Sequence, residues 1–344
     1  MKKGILNYTH QELVRELSLF GLQKFRVNQI YQWLYRHGVT EFSSMTNIGK
    51  NIREKLEESF YIYRPKISNI AKSKDGTIKF LLELCDQNTI ETVFIPEKHR
   101  NTICVSSQVG CSVGCLFCNT GYNGFVRNLT AEEIIGQFLI VKDYLNLWKS
   151  DTRLSNVVFM GMGEPLFNFE NVQKSIYNLM RDEEHGISRR RITVSTSGIT
   201  PKLKEIIKDL PCRLAISLHA PNDLIRSQIM PINNKFKLSE LIDVCKEYSQ
   251  YQKYLKITFE YLLLDGVNDS ETNAYELINL LTGINAKVNL LQFNSWAGCR
   301  FKASQKNNVL RFAKILESNG IEAPIRARRG EDIMAACGQL SSKK

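Results

Sequence analysis

The sequence predicts an α/β protein: a partial (β/α)6 barrel preceded by a helical module and a small antiparallel β linker. Three observations support this fold class. Apolar residues recur at helical spacing up to about residue 60, alternate with period two from Ile67 to Ile95, and then fall in repeated strand–helix units. Six such units are too few for a closed eight-unit barrel. The expected domains are residues 1–62, 63–98 and 99–344.

The N-terminal module begins with a recognisable helix start. Thr9 followed by Glu12 is a capping-box pattern, and Leu13, Leu17 and Phe20 then share one helix face. Aromatic residues in the next two predicted helices are interleaved with basic residues, namely Lys24, Arg26, Arg36, Lys50, Arg53 and Lys55. Two interpretations stay open: a module that grips RNA, or a helical lid packed on the catalytic domain.

The linker contains Glu91 within its last predicted strand, Thr89-Ile-Glu-Thr-Val-Phe-Ile. Strand alternation places Glu91 on the face opposite Ile90 and Thr92. Its carboxylate is therefore expected to face either solvent or a cleft.

The barrel strands are predicted from their apolar runs, at 102–107, 156–159, 191–196, 213–218, 256–264 and 287–293. Helices are predicted at 131–147, 170–180, 201–208, 238–251, 271–282 and 307–318. Active sites of such barrels lie at the carboxyl ends of the strands. The polar or glycine residues at those ends are Gly163, Glu164, Ser195, Ser217, His219 and Asn294.

Composition narrows the class further. The 344 residues carry 46 Lys and Arg against 35 Asp and Glu, a net charge of +11, which favours a polyanionic partner over a merely solvated basic surface. No run approaches 18 apolar residues, and the first ten residues lack the apolar run of a signal peptide. We expect a cytoplasmic protein with no membrane association, monomeric by default.

Three of the nine cysteines form the most informative motif, C-x3-C-x2-C, at Cys111, Cys115 and Cys118. Iron–sulfur clusters are held by cysteine thiolates, usually four. Three ligands leave one iron of a [4Fe-4S] cluster open to a small molecule. A zinc site with Cys104 as the fourth ligand is the alternative, but its spacing is not that of a zinc finger. Cysteines 85, 212, 245 and 299 are interpreted as packing residues.

This motif resembles the signature of the radical S-adenosylmethionine (SAM) superfamily, and the resemblance implies one [4Fe-4S] cluster per chain with SAM on its open iron. Gly163 and Glu164 are then expected to bind the SAM ammonium group. Ser195, Ser217 and Asn294 are candidates for its carboxylate and ribose. Leu218 and His219 are expected to form a wall of the same pocket.

Two further cysteines, Cys104 and Cys337, lie at positions near the predicted barrel mouth. Cys337 lies in Ala335-Ala-Cys-Gly-Gln-Leu340 after the last predicted strand, and Cys104 lies near the end of the first. Both could face the barrel mouth. Spacing by itself leaves open whether they form a catalytic pair.

Nearly the whole chain resembles the radical-SAM RNA adenine methyltransferases of the RlmN/Cfr family. The motifs that carry the resemblance are 90–93 (Ile-Glu-Thr-Val), 104–111, 159–165 (Phe-Met-Gly-Met-Gly-Glu-Pro), 217–221 (Ser-Leu-His-Ala-Pro), 230–233 (Met-Pro-Ile-Asn) and 335–340. Val109, Glu164-Pro165 and Ser-Leu-His-Ala-Pro are closer to the C2-methylating RlmN branch than to the C8-methylating, resistance-conferring Cfr branch. One departure is 291–295, which lacks the prolines usual around Phe-Asn but keeps Asn294.

The resemblance implies a mechanism and partners. Cys337 takes a methyl group from one of two SAM molecules used per turnover, Glu91 removes the ring proton, and Cys104 releases the product through a transient disulfide with Cys337. The implied substrates are adenosines in the peptidyl-transferase region of 23S rRNA and at position 37 of tRNA, with a flavodoxin- or ferredoxin-like electron donor. The alternatives are C8 methylation and an iron–sulfur RNA-binding or sensing protein without turnover.

Overall fold

In the computed structural model, which describes residues 2–150, 152–181 and 186–341, one nine-stranded sheet organises the chain. The short strands β1 (Lys3–Gly4) and β2 (Phe60–Tyr61) pair apart from it. The linker strands are β3 (Lys66–Lys72), β4 (Ile78–Glu83) and β5 (Thr89–Glu97). They pair antiparallel with one another, and β5 pairs antiparallel with β6 (Arg100–Cys104). The predicted linker strands are present, and they extend the barrel sheet itself.

The parallel part of the sheet starts at β6 and continues through five further strands. A hairpin of β7 (Gln108–Gly110) and β8 (Phe125–Asn128) lies outside this sheet. The parallel strands after β6 are β9 (Asn156–Phe159), β10 (Ile192–Thr196), β11 (Arg213–Ser217), β12 (Ile257–Leu263) and β13 (Ala286–Gln292). Six parallel strands joined by outer helices confirm the predicted partial (β/α)6 barrel.

The helices follow the predicted order, with ends that differ by up to three residues. The module contains α1 (His10–Ser18), α2 (Lys24–Gln32) and α3 (Lys50–Ser59), and α4 (Asn119–Tyr122) follows the cysteine motif. The barrel helices are α5 (Ala131–Tyr144), α6 (Phe169–Met180), α7 (Thr200–Ile206), α8 (Asp223–Ile229), α9 (Leu238–Tyr251), α10 (Glu271–Leu280) and α11 (Lys306–Ser318). Sequence reasoning missed α8, whose signal is Asn222: its side chain accepts the Ile225 N–H as an N-cap.

The N-terminal module packs on the outside of the barrel, against α5 and α6. The Tyr31 hydroxyl donates to the Asn178 carbonyl at 2.9 Å, and the Asn178 side chain donates to the Tyr8 carbonyl at 3.0 Å. The Tyr61 hydroxyl donates to Glu132 at 2.7 Å. The capping box of α1 forms as predicted, because Glu12 N–H donates to Thr9 Oγ1 and Thr9 N–H donates to Glu12. The module is thus a folded helical unit that rests on two outer helices of the barrel.

None of the helices in the described ranges is both long and apolar enough to cross a membrane.

The linker and the barrel are joined by a buried amide, Gln137 on α5. Its Oε1 accepts from the Ser106 backbone N–H at 2.7 Å and from the Thr92 hydroxyl at 2.6 Å, and its Nε2 donates to the Ser106 carbonyl at 2.9 Å. The side chain is fully buried. Because Ser106 follows β6, this network holds in place the backbone that leads into the cysteine motif.

We expect Gln137→Leu to destabilise the protein strongly. The change keeps the volume but leaves the Ser106 peptide groups and the Thr92 hydroxyl buried without partners, a cost of about 3 kcal/mol. In a domain of this size that lowers Tm by about 6–12 °C, measured by scanning fluorimetry. Gln11→Leu, on the exposed face of α1, is the matched control and should leave Tm unchanged. Equal melting of the two variants would contradict the structural role of the network.

Candidate active site

One pocket opens at the carboxyl edge of the parallel strands and brings the cysteine motif together with most of the predicted polar residues. Its lining includes Cys111, Cys115, Cys118, Gly163, Glu164, Ser195, Ser217, His219 and Cys337. Leu218 and Asn294 are not among the described residues that line it. Eight of the ten residues proposed for cluster and SAM therefore line this one pocket.

The cysteine loop is held between the β7–β8 hairpin and the end of the chain. Gly110 has φ +74°, and a Cβ at this position would overlap the Gly124 carbonyl, so only glycine fits. The Trp296 indole donates to the Phe117 carbonyl at 3.0 Å, within the motif itself. The loop is thus shaped by contacts from three distant parts of the sequence.

The geometry of the thiols fits a cluster better than a single metal ion. The three motif cysteines are free and line one pocket, but among the described residues no three Cys, His, Asp or Glu side chains converge as ligands of one ion would. A cluster needs each thiolate on a different iron, which spaces the sulfurs apart. Cys104, the fourth ligand of the zinc alternative, lines a neighbouring pocket instead. Burial raises the pKa of Cys111 to about 12 and that of Cys115 well above its usual range, so any metal centre that these thiols bind must displace their protons.

The Gly163-Glu164 turn is built around buried hydrogen bonds. Glu164 accepts from the Leu166 N–H at 3.0 Å and from both the N–H and the hydroxyl of Ser197 at 2.7 Å. Gly163 has φ +99°, and a Cβ there would overlap Gln108. The glycine is therefore required by the turn and by Gln108. Burial raises the pKa of the Glu164 carboxyl, and the Ser197 hydrogen bonds oppose that shift.

His219 is a neutral hydrogen-bonding wall of the pocket. Its Nδ1 accepts from the Leu262 N–H at 3.0 Å, which leaves the proton on Nε2, and its ring meets Phe117 edge-on at 4.9 Å. Its φ of +58° lies in the left-handed region, and the Asn268 side chain holds its carbonyl at 2.6 Å. Burial lowers the pKa of the imidazole to about 3, with the charge of Arg226 contributing.

Arg226 is a central residue that sequence reasoning missed. Its guanidinium is fully buried and donates to four acceptors: the carbonyls of Leu218 (3.1 Å), Ser197 (2.7 Å) and Ser217 (3.1 Å), and Asn233 Oδ1 (2.9 Å). Burial lowers the pKa of Arg226 to about 10, so the group stays charged at neutral pH. The arginine ties together the turns that follow β10 and β11. Nothing in its helical context within the sequence indicated this role.

Two buried oxygens, one in the pocket lining and one just after β13, accept no hydrogen bond from any described residue. One is Glu260 Oε2 on β12; the other oxygen of Glu260 accepts from Asn289 at 3.0 Å. The second is Asn294 Oδ1, whose amide nitrogen donates to the Gln292 carbonyl at 3.3 Å. Buried polar groups without partners are rare in native proteins, and a bound ligand is one way to satisfy them. Together with the three thiols, they fit a site built for a cluster and a polar cofactor.

A second, adjoining pocket contains the predicted thiol pair. Cys104 and Cys337 both line it, together with Arg326, Arg100 and Glu97. Cys337 also lines the first pocket and is exposed, whereas Cys104 is buried. Burial raises the pKa of Cys104 to about 12. Cys337 is exposed as a residue, but its thiol lies against the walls of both pockets, and this partial loss of solvent raises its pKa. The guanidinium of Arg326 opposes both shifts. Cys337 therefore lies between the pocket of the cysteine motif and a second thiol.

Glu91 lies in neither pocket. Its side chain is buried, and Oε1 forms an ion pair with Lys79 at 2.8 Å while Oε2 accepts from the Ser341 N–H at 2.8 Å. The expectation that it faces solvent or a cleft is wrong for this conformation. The reason is that the C-terminal segment, remote in sequence, covers this face of β5. Burial raises the pKa of the Glu91 carboxyl, and Lys79 opposes the shift.

The remaining cysteines divide by environment. Cys212 and Cys245 are fully buried, as packing residues should be, whereas Cys85 is exposed in a turn and Cys299 is half-buried. The packing interpretation is therefore wrong for Cys85.

Comparison with known families gives two matches. The family described as "Radical SAM superfamily" matches residues 105–278, and the "Ribosomal RNA large subunit methyltransferase N-terminal domain" matches residues 3–62.

Individual relatives match over nearly the full length. A protein of Rhodospirillum rubrum named "Dual-specificity RNA methyltransferase RlmN" is 47% identical over 98% of this chain and 80% of its own. A protein of the same name from Dinoroseobacter shibae is 45% identical over 99% and 90%, respectively. The crystal structure of a radical SAM methyltransferase from Sphaerobacter thermophilus, 39% identical, superposes with a TM-score of 0.92 over 99% of this chain and all of its own.

We expect His219 to remain neutral, with its proton on Nε2, at every pH above about 5. Its depressed pKa means that the imidazole takes up a proton only in strong acid while the protein is folded. NMR of ¹⁵N-histidine-labelled protein would show the ring-nitrogen shifts of the five histidines, and His219→Gln would assign the signal. A His219 signal that titrates near pH 6.5 would contradict the assigned hydrogen bond from Leu262.

Proposed function

The chain belongs to the radical SAM superfamily and, within it, to the RlmN family of RNA methyltransferases, and from that premise we propose that it methylates C2 of adenine in 23S rRNA and in tRNA at position 37. The name of the two relatives, dual-specificity RNA methyltransferase, supports two RNA substrates. One structural observation carries the proposal: Cys337 lines both the cofactor pocket and the pocket of Cys104. A binding or sensing protein would have no use for that arrangement.

Cys111, Cys115 and Cys118 would hold a [4Fe-4S] cluster with one iron free for SAM. Glu164, Glu260 and the polar ends of β10, β11 and β13 would surround the SAM amino acid and ribose. When bound, the cluster and SAM would supply the methyl group, remove one hydrogen atom from it once Cys337 carries it, and take up the one electron that is lost together with the C2 proton, so that the carried carbon becomes bonded to C2. The protein's own residues then hold the methyl group, move protons and release the product.

Cys337 would be the methyl acceptor. As a thiolate it forms an S–C bond to the methyl carbon while the S–C bond of the donor breaks and its electron pair stays on the donor sulfur. Arg326 favours the thiolate, because its positive charge lowers the pKa that burial raises. Cys337 is exposed at the pocket mouth, so an RNA base can approach the carried carbon.

Cys104 would release the RNA from Cys337. Its thiolate attacks the Cys337 sulfur, an S–S bond forms, and the bond breaks between the Cys337 sulfur and the carried carbon, which by then is bonded to C2. The departing carbon keeps the electron pair and takes up a proton to become the methyl group. Glu91 is proposed to receive the proton lost from C2. An external thiol or reductase must reduce the disulfide before the next turnover.

The RNA is proposed to contact the helical module as well as the mouth. Phe25 is half exposed with Arg26 stacked 4.7 Å from its ring centroid, and Lys24, Lys50 and Lys55 are exposed on the same module. Exposed aromatic and cationic groups of this kind stack on bases and neutralise phosphates. The module packs on the outside of the barrel and adds no described residue to the pocket lining, so the lid interpretation gains no support.

Mass spectrometry of nucleosides tests the reaction. Protein reconstituted anaerobically with iron and sulfide is incubated with SAM, a reductant and either unmodified 23S rRNA or unmodified tRNA. We expect 2-methyladenosine from both RNAs. 8-Methyladenosine would instead assign the C8 reaction, and SAM cleavage without any methyladenosine would overturn the RNA assignment.

Replacing either thiol by serine is expected to stop the reaction, at a different stage for each. Cys337→Ser should abolish methylation while keeping the cluster absorbance and SAM binding, because its side chain lies outside the cluster motif. Cys104→Ser should leave a covalent protein–RNA adduct, visible on a denaturing gel, because the resolving thiol is gone. Cys85→Ser, at an exposed turn, is the matched control with full activity. Free turnover by Cys104→Ser would contradict its resolving role.

A further inference from the structure

The segment that carries Cys337 is fastened at both ends by a single buried ion pair. Lys79 Nζ lies 2.8 Å from Glu91 Oε1 and also donates to the Met334 carbonyl at 3.0 Å. Glu91 Oε2 accepts from the Ser341 N–H at 2.8 Å. Met334 and Ser341 bracket Cys337, so the pair holds the segment three residues before and four residues after the thiol. We call Met334–Ser341 the thiol segment.

The pair is prepared by the linker sheet. Leu81 on β4 faces Glu91 on β5 and Lys79 faces Val93, so Lys79 and Glu91 are diagonal neighbours on one face of the sheet. Both side chains are largely buried, with exposed fractions of 15% and 8%. Lys79 is the one charged group among the described residues found to act on Glu91.

The opposite side of the thiol segment rests on the cysteine loop through backbone contacts. Asn119 N–H donates to the Gly338 carbonyl at 2.7 Å, the Asn119 side chain to the Gln339 carbonyl at 3.1 Å, and the Thr120 hydroxyl to the Leu340 carbonyl at 2.7 Å. Met334 has φ +54° and Gly338 has φ +80°. The left-handed conformation is costly for methionine, so this conformation of the segment depends on being held.

The proposed reaction gives Lys79 no role, but these contacts do. We infer that Lys79 is a positioning residue: with Glu91 it forms a latch that holds the thiol segment where Cys337 shares a pocket with Cys104. The inference rests on the proposed function, because only that reaction requires Cys337 to share a pocket with Cys104. In this conformation both oxygens of Glu91 are occupied and neither reaches the pockets. Glu91 must therefore leave the latch before it can serve a substrate base.

The protonation state of Glu91 then decides when the latch can close again. When Glu91 receives the C2 proton it becomes a neutral carboxylic acid, while Lys79 keeps its charge. A neutral carboxyl cannot restore the ion pair, and its hydrogen bond to Ser341 loses its charge-assisted strength. The latch recloses only after that proton passes to water. Reclosure returns Cys337 to Cys104, so disulfide exchange follows removal of the ring proton.

Hydrogen–deuterium exchange of the full-length, cluster-loaded protein without RNA tests the latch. Lys79→Met and Glu91→Gln should each speed exchange of the thiol segment and of the Asn119 amide about tenfold, the equivalent of losing one charge-assisted hydrogen bond of about 1.4 kcal/mol. Lys79→Arg keeps the charge, so its thiol segment should exchange as slowly as that of the unmodified protein. Lys66→Met breaks the exposed Lys66–Glu83 pair on β3 and β4 and is the matched control, expected to exchange as the unmodified protein.

Two further measurements keep the test decisive. Thr120→Val removes a contact from the other side and should also speed exchange, which shows that the assay detects release. Mass-spectrometric rates of Cys104–Cys337 disulfide formation with oxidised glutathione should fall in Lys79→Met. If Thr120→Val loosens the segment while Lys79→Met and Glu91→Gln leave both exchange and disulfide rate unchanged, the latch is overturned. Neither readout requires methylation, so loss of the proposed function would show separately in the nucleoside analysis.

Discussion

The carboxyl edge of the parallel sheet sets the constraint on which the site depends. Where β10 and β11 end, backbone carbonyls no longer receive hydrogen bonds from a neighbouring strand, and a buried carbonyl needs another donor. Arg226 meets this demand with one guanidinium that binds the Ser197, Ser217 and Leu218 carbonyls. A buried charge is costly unless its donors are used, and four acceptors use them. The walls of the cofactor pocket are therefore fixed relative to one another before any ligand binds.

The proposed thiol chemistry depends on contacts between the two ends of the barrel domain. The cysteine loop follows β6, whereas the thiol segment follows the last helix, and they meet through Asn119 and Thr120. Cys104 ends β6, so the rigid sheet positions one thiol and the held segment positions the other. This difference matches their proposed roles, because the methyl carrier must move between donor, base and resolving thiol while the resolving thiol can remain fixed.

Much of this organisation could be predicted from the sequence because its signals are local. Cys111, Cys115 and Cys118 lie within eight residues, and the strand ends carrying Glu164, Ser217 and His219 follow from hydrophobic periodicity. Arg226 could not be recognised, since an arginine on an amphipathic helix is ordinarily a surface residue and its burial depends on turns from other units. Glu91 was expected to be open because alternation defines two faces of a strand but not what later covers them. Lys79 is hidden for the same reason.

The distribution of charge separates the two kinds of ligand. The net charge of +11 and the exposed cations of the helical module favour a polyanion at the surface. The interior of the pocket adds acidic groups: Glu164 and Glu260 line it together with the motif cysteines, and Glu260 Oε2 has no partner among the described residues, whereas the buried charge of Arg226 is used by four backbone and side-chain acceptors. SAM carries a sulfonium and an ammonium group, and buried carboxylates favour such a cation over the phosphates outside. In the proposed reaction we expect these buried carboxyl groups to disfavour phosphate, so that the RNA backbone stays at the mouth and an uncharged base is the part of the RNA that approaches Cys337.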